Sequence, residues 1–200
     1  MTALGPLQSR GLFATRVFAF DLEPERAAAL NAGLWPAIDR LLTPRPAVQP
    51  WQTRTDLQLD PAFAPLMEVV QVAARHVAQD LRLAVNAFRV TGCWANVNAP
   101  GLSHSAHSHP NNLLSGVYYL ATGEGADAIT FLDPRPQALA VLPRFAKPSP
   151  ENRSDIAIPA LEGRLLLFPG WFVHGVPENR SNRERVSVSF NLMPEAWGAR

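Results

Sequence analysis

Four of the five histidines lie in two short segments whose spacing is typical of metal ligands. His104, His107 and His109 stand together in HSAHSHPNNLLSGVYYL, and His174 stands alone in LLLFPGWFVHGV. Two residues separated by one position on a β-strand share a face, so we expect His107 and His109 to point to one side of a strand. Histidine is the commonest transition-metal ligand. The pattern therefore predicts a metal site made of His107, His109 and His174.

A strand with one polar face follows the distal histidine. In RVSVSFN, Arg185, Ser187 and Ser189 alternate with apolar residues. A guanidinium aimed into a metal cavity can bind a carboxylate through two hydrogen bonds, and the Ser187 hydroxyl can add a third. We predict this role for Arg185. The alternative is that Arg183 and Arg185 are both exposed charges of the turn NRSNRERV, and Arg183 remains the competitor.

Further candidates lie on neighbouring strands. Tyr118 and Tyr119 are the two tyrosines and face opposite ways, so only one can point inward. We expect Tyr119 and Ser115 on the inner face, where a phenol can bond a ligand carboxylate, with Tyr118 as the open alternative. Residues proposed as substrate contacts or as support for the ligands are His104, Asn96, Trp94 and Arg183.

Composition indicates an ordinary globular protein. The chain has 200 residues, of which 47% are apolar and 18% charged, with a net charge of +1. These values predict one domain over residues 1–200 and give no reason to expect nucleic acid or a membrane as a partner. The single cysteine, Cys93, suits a reducing cytoplasm and is expected to be buried.

The order of local patterns predicts helices first and strands afterwards. A strand at 16–22 precedes helices at 24–42, which Pro36 should kink or divide, and at 61–81. Strands are predicted at 87–98, 113–121, 128–132, 156–158, 164–168, 172–176 and 186–192. The fold class is α+β, mainly β: a jelly roll over about 86–194 with a helical part, about 23–83, packed outside. The proline-rich segment 134–152 is expected to act as a lid or substrate loop.

These segments together resemble the iron(II)- and 2-oxoglutarate-dependent oxygenases, in a branch of bacterial and phage proteins with a prolyl-hydroxylase-like jelly roll. The resemblance rests on WANVN, HSHPNNLLSGVYYL, ITFLDPR and EGRLLLFPGWFVHGVPENRSNRERVSVSFN, with WQTRTDL before them. It covers most of the chain and implies Fe(II) and 2-oxoglutarate as cofactor and co-substrate.

The resemblance also implies roles for individual residues. His107 and His174 match the two histidine ligands, Arg185 matches the arginine that holds the far carboxylate of 2-oxoglutarate, and Tyr119 matches a co-substrate tyrosine. The departure is His109, which stands where these enzymes carry Asp or Glu. Asp127, Asp133 and His104 are the other candidates for the second ligand.

Two other functions remain open from the sequence. One is a cupin-type enzyme with three histidine ligands and no 2-oxoglutarate, and the other is a non-enzymatic jelly-roll module with a structural metal. The expected partners are O₂ and a small-molecule or peptide substrate, and a homodimer is one oligomeric state open to the chain.

Overall fold

Two helices near the start of the chain are followed by a series of short strands. The computed structural model describes residues 6, 8–44, 51–85, 87–123, 128–141 and 143–196. Three 3₁₀ turns accompany the helices and strands, at Leu57–Leu59, Pro61–Phe63 and Pro136–Leu139. The elements are β1 (Phe18–Asp21), α1 (Pro24–Leu41), β2 (Trp51–Gln52), α2 (Ala64–Asp80), β3 (Phe88–Asn98), β4 (His104–His107), β5 (Leu114–Ala121), β6 (Ala128–Leu132), β7 (Asp155–Pro159), β8 (Arg164–Pro169), β9 (His174–Val176) and β10 (Arg185–Pro194).

The strands form two antiparallel sheets. One has six strands in the order β1-β8-β5-β10-β3-β2, and the other has four in the order β4-β9-β6-β7. Most neighbours in each sheet are distant in sequence, as they are in a jelly roll. The predicted mainly β fold with two helices is confirmed.

The two helices cover one face of the six-stranded sheet. The helix α1 begins at Pro24, whose fixed backbone angle suits a first turn. Glu25 in the first turn and Arg40 in the last complement the helix dipole. Buried side chains of α1 and α2 share one apolar core with the sheet. The sheet residues in this core include Cys93, Ala95, Val97, Tyr118, Leu120, Leu165, Leu167, Val186, Val188 and Phe190. Neither helix in the described residues is long and apolar enough to cross a membrane.

A second, smaller core lies between the two sheets. It consists of Val117, Tyr119, Ile129, Phe131, Ala160, Leu166, Phe168 and Phe172. Successive residues of a strand point to opposite faces, so β5 directs Tyr118 toward the helices and Tyr119 between the sheets. The Tyr118 hydroxyl donates to Asn31 Oδ1 at 2.8 Å. Of the two tyrosines, it is therefore Tyr119 that faces inward.

Two local predictions differ from the structure, and one strand was not predicted. Pro36 lies inside one helix, so the predicted division of α1 does not occur, because buried residues on both sides of it keep the helix packed. The expectation that His107 and His109 share a strand is wrong: β4 ends at His107, and Pro110, which lacks an N–H, follows soon after. The two-residue strand Trp51–Gln52 was not predicted, since it is too short to show a pattern.

The loop that joins β6 to β7 is the longest connection in the fold. Its regular structure within the described residues is the 3₁₀ turn at Pro136–Leu139. The side chains of this loop are largely exposed. A role as lid or substrate loop stays a prediction.

Gly116 on β5 leaves room for the ring of Phe190. A Cβ at Gly116 would lie 2.5 Å from Phe190 Cε2 and 2.7 Å from the Leu166 carbonyl oxygen. We expect Gly116→Ala to lower the free energy of unfolding by about 1–3 kcal/mol, because the backbone of β8 cannot move aside. The control is Gly33→Ala, at an exposed helix position with nothing within 4 Å of the new Cβ. It should raise stability by up to about 1 kcal/mol. Chemical denaturation of both variants measures the difference, and equal stability of Gly116→Ala and wild type would contradict the packing described.

Candidate metal centre

Three imidazoles from distant parts of the chain meet beside the core between the sheets. His107 ends β4 and His174 begins β9, and the two are direct partners in the antiparallel register. His109 lies two residues beyond the end of β4. Their ligand nitrogens all lie within 4.8 Å of one another. The ring centroids are separated by 4.6 Å (His107–His174), 5.0 Å (His107–His109) and 5.2 Å (His109–His174). The structure thus brings together the three histidines that the sequence singled out.

Hydrogen bonds to backbone carbonyls prepare two of these rings for a metal. His107 Nδ1 lies 2.8 Å from the Ser105 carbonyl oxygen, and His174 Nδ1 lies 2.8 Å from the Phe172 carbonyl oxygen. A carbonyl oxygen only accepts, so the proton belongs on Nδ1 and the lone pair on Nε2. The second ring nitrogen of a metal-binding histidine commonly makes such a bond. The donor set therefore fits an ion such as Fe(II).

His109 is positioned by a loop rather than by a strand. Its backbone N–H donates to the Gly170 carbonyl oxygen at 2.8 Å. Its ring lies against Trp94, with 5.8 Å between the ring centroids. These contacts carry the imidazole toward His107 and His174 although β4 has already ended.

Burial favours the neutral form of His109 and His174. Desolvation, and then the charges of His174 and His107, lower the pKa of His109 to about 4. Desolvation also lowers the pKa of His174 to about 4, with the Phe172 carbonyl opposing this and His107 adding to it. The neutral imidazole is the form that binds a metal, so these two candidate ligands need not lose a proton at neutral pH.

A buried cation lies in the same cavity as the histidines. Arg185 begins β10 and is 2% exposed. Its Nη1 is 3.5 Å from the Pro177 carbonyl oxygen. The described residues that line this cavity, of about 130 Å³, include no Asp or Glu. A guanidinium in such surroundings suits an anionic ligand.

Polar side chains of β3 and β10 form one wall of the cavity. Asn98 is the register partner of Arg185, and Asn96 is the partner of Ser187. Asn96 Nδ2 donates to Ser189 Oγ at 3.2 Å. Because the residues alternate along both strands, every second side chain reaches the cavity and the others pack against the helices.

His104 contributes to the cavity as well. Its Nε2 donates to Asn98 Oδ1 at 2.9 Å. Burial, followed by the charges of Arg185 and His107, lowers the pKa of His104. The neutral ring thus lies beside the guanidinium, and His104 is not among the three residues whose nitrogens cluster.

The cavity lining includes most of the predicted site residues. Those present are Trp94, Asn96, His104, His107, His109, Tyr119, His174, Arg185 and Ser187. Sequence reasoning assigned no role to Gln52, which also lines the cavity and comes from the two-residue strand β2 opposite Asn96. The segment WQTRTDL contained this residue, but only the pairing with β3 gives it a place at the site.

Two predicted residues lie elsewhere. Ser115 shares a strand face with Tyr119 but does not line the cavity, and its hydroxyl donates to Asn191 Oδ1 at 2.7 Å. Four residues along a strand correspond to about 13 Å, which takes Ser115 past the site. Arg183 is exposed, and its guanidinium donates to the Thr122 carbonyl oxygen at 3.1 Å.

Asp133, one of the alternative carboxylate ligands, does not join the histidines. Asp133 accepts two hydrogen bonds from the Arg135 guanidinium, at 2.9 and 2.8 Å, and this pairing lowers the pKa of the Asp133 carboxyl. It is absent from the described ligand cluster. Asp127 lies outside the described residues.

Solved structures share this fold. A Pseudomonas putida prolyl-4-hydroxylase is 16% identical, with a TM-score of 0.61, over 90% of this chain and 94% of that one. AviO1 from Streptomyces viridochromogenes is 14% identical, with a TM-score of 0.63, over 92% of both chains. HygX from Streptomyces hygroscopicus, solved with nickel and 2-oxoglutarate bound, is 12% identical, with a TM-score of 0.59, over 92% of this chain and 85% of that one. At these identities the likeness establishes the fold.

The sequence itself matches a family. No curated protein matches the chain by sequence. The model of the family described as putative 2OG-Fe(II) oxygenase matches residues 92–191, which is half of the chain and includes every histidine of the cluster and Arg185. This match favours the 2-oxoglutarate-dependent activity over a cupin-type enzyme and over a module with a structural metal. The chain belongs to the 2-oxoglutarate- and Fe(II)-dependent oxygenase family and is an enzyme of that class.

Proposed function

We propose that the chain is a dioxygenase in which His107, His109 and His174 hold Fe(II) and Arg185 holds the far carboxylate of 2-oxoglutarate. The observation that carries this proposal is a single cavity lined by three clustered imidazoles and one buried guanidinium. When bound, Fe(II) and 2-oxoglutarate would support an oxidation by O₂ in which one oxygen atom enters succinate as the keto acid loses CO₂, and the other hydroxylates a C–H bond of the substrate.

Arg185 and its neighbours orient the co-substrate in this proposal. A planar guanidinium matches a carboxylate through two parallel hydrogen bonds, which determine direction as well as affinity. Ser187 lies on the same face of β10, and Tyr119 lies on the adjacent strand β5 as the register partner of Ser187. Their hydroxyls can donate to the same carboxylate.

Aromatic side chains shield His174 from water. The ring of Phe168 lies 4.7 Å from that of His174 in an edge-to-face arrangement, and Phe131 lies 5.9 Å away. Exclusion of water strengthens the electrostatic interactions inside the cavity. The side of the cluster at His107 is exposed, so we propose that the substrate reaches the metal from there.

The third imidazole changes the charge of the site. A carboxylate in place of His109 would lower the net charge at the metal by one unit. With three neutral ligands, the full charge of Fe(II) faces the dianionic keto acid. This charge balance supports His109 as a ligand beside an anionic co-substrate.

Other expectations stay proposals. The substrate is unidentified, and we assign Trp94, Asn96 and His104 as candidates for contact with it. A single domain, a place in the cytoplasm, the absence of nucleic-acid partners and a homodimer remain predictions. Burial raises the pKa of the Cys93 thiol to about 12, which is consistent with a packing role for this residue.

Replacing a histidine of the cluster should abolish tight metal binding. For His174→Ala we expect Fe(II) or Ni(II) affinity to fall by at least about 100-fold, since removal of a residue that merely supports a ligand already costs about 10- to 100-fold. The control is His76→Ala, an exposed position on α2. Anaerobic isothermal titration calorimetry measures both. Wild-type metal affinity in folded His174→Ala would refute the proposed ligand set.

Replacing the buried arginine should remove 2-oxoglutarate binding and leave metal binding intact. We expect Arg185→Ala to raise the Kd for 2-oxoglutarate by about 30-fold or more, as loss of one partner of a buried charge pair typically does. Arg185→Lys should be intermediate, because it keeps the charge without the planar fork. The exposed Arg183→Ala is the matched control.

Titration of 2-oxoglutarate into the Ni(II)-loaded variants measures each Kd, and their melting temperatures verify that the variants are folded. Unchanged 2-oxoglutarate affinity in Arg185→Ala would assign the co-substrate to other residues.

A further inference from the structure

Asn179 is a fully buried polar residue in the loop between β9 and β10. Its exposure is 0%. Its side-chain amide donates to the Asn98 carbonyl oxygen at 3.0 Å and to the Arg183 carbonyl oxygen at 2.8 Å. Its Oδ1 accepts from the Ser181 backbone N–H at 3.1 Å and from the Ser181 hydroxyl at 2.7 Å. Both the nitrogen and the oxygen of the Asn179 side-chain amide therefore make hydrogen bonds.

The backbone of Asn179 joins the turn that follows β3. Its N–H donates to the Leu102 carbonyl oxygen, and its carbonyl accepts from the Gly101 N–H, each at 2.8 Å. One residue therefore links the end of β3, the turn after it and the loop that leads into β10.

The two bonds donated by the Asn179 side chain end close to Arg185. Asn98, whose carbonyl receives the Asn179 amide, is the register partner of Arg185. Arg183, whose carbonyl receives the second donor, stands two residues before Arg185. Pro177, two residues before Asn179, offers its carbonyl oxygen to Arg185 Nη1 at 3.5 Å. Both the backbone and the guanidinium of Arg185 adjoin segments that Asn179 holds.

We infer that Asn179 is a positioning residue for Arg185 and so sets the affinity of the site for 2-oxoglutarate. The inference rests on the proposed role of Arg185 as the carboxylate anchor. A bidentate bond between a guanidinium and a carboxylate depends on direction, so a small displacement of the first residue of β10 weakens it. A buried hydrogen-bond network in which every donor and acceptor is used is rigid. Through this network Asn179 holds Arg185, the first residue of β10, in place.

The test compares two affinities in the same variants. For Asn179→Ala we expect the Kd of 2-oxoglutarate for Ni(II)-loaded protein to rise about 10-fold or more, the cost typical of a lost supporting residue, while the Kd for Ni(II) itself stays within about twofold. Ser181→Ala is the matched control: it removes the hydroxyl that donates to Asn179 Oδ1 and contacts the Arg183 carbonyl oxygen and N–H, but it leaves both bonds donated by the Asn179 amide. Its Kd for 2-oxoglutarate should change less than about threefold.

Asn179→Asp covers the case in which the alanine variant does not fold. It keeps the shape and the acceptors for Ser181 but turns a carboxylate oxygen toward the two carbonyls, so we expect the same selective loss of 2-oxoglutarate binding. In an Arg185→Ala background, the loss caused by Asn179→Ala should disappear, since the anchor on which it acts is gone.

Three results would overturn the inference. Wild-type 2-oxoglutarate affinity in a variant with a lowered melting temperature would make Asn179 a structural residue only. Equal losses of metal and 2-oxoglutarate affinity would show a general distortion of the site. Wild-type 2-oxoglutarate affinity in the single variant Arg185→Ala would refute the proposed function together with the inference. If Arg185→Ala loses 2-oxoglutarate affinity but the Asn179 variants keep it, only the inference is refuted.

Discussion

The antiparallel pairing of β4 with β9 is the constraint on which the site depends. This register makes His107 and His174 direct partners, so two imidazoles meet with no side-chain contact required to bring them together. A shift by one residue would turn His174 to the opposite face of the sheet. Val173, the preceding residue, is 38% exposed, whereas His174 is buried. The proposed metal site thus depends on the hydrogen bonds between two short strands.

The strands β3 and β10 connect this site to the helices. One face of each carries the polar residues of the cavity, and the other face packs into the core shared with α1 and α2. Val186 and Val188 are fully buried on the helix side, between residues that line the cavity. The helices therefore do more than cover apolar surface: because a strand has two faces, packing on one side holds the direction of Arg185 and Ser187 on the other.

The charges of the cavity suit an anionic co-substrate at the proposed site. Desolvation lowers the pKa of His109 and of His174, so these rings bring no charge of their own to the cavity. The described lining has a guanidinium and no carboxylate. In the proposed complex Fe(II) and Arg185 are both positive, and a dianion could contact both. 2-Oxoglutarate has a carboxylate at each end, which matches this arrangement.

Which side chains of β5 and β10 share a strand face was determined by the sequence alone. The alternation along β10 placed Arg185 and Ser187 on one face, and the same rule put Tyr119 and Ser115 on one side of β5, because the two-residue period of a strand depends only on local backbone angles. Which residues of a strand face reach the cavity was decided by tertiary structure. Ser115 lies past the cavity, and Gln52 reaches it from a strand too short to predict.

The positions of His109 and Asn179 were likewise decided by tertiary structure, because both depend on contacts with distant segments. His109 is held by the Gly170 carbonyl beyond the end of its strand, and Asn179 gains its importance only from the segments it joins. Which residues pair across a sheet or loop is determined by contacts between segments remote in sequence, and no local period encodes them. The alternation along each strand thus specified which side chains share a face, and the pairing of distant strands decided which face lines the cavity and which residues meet there.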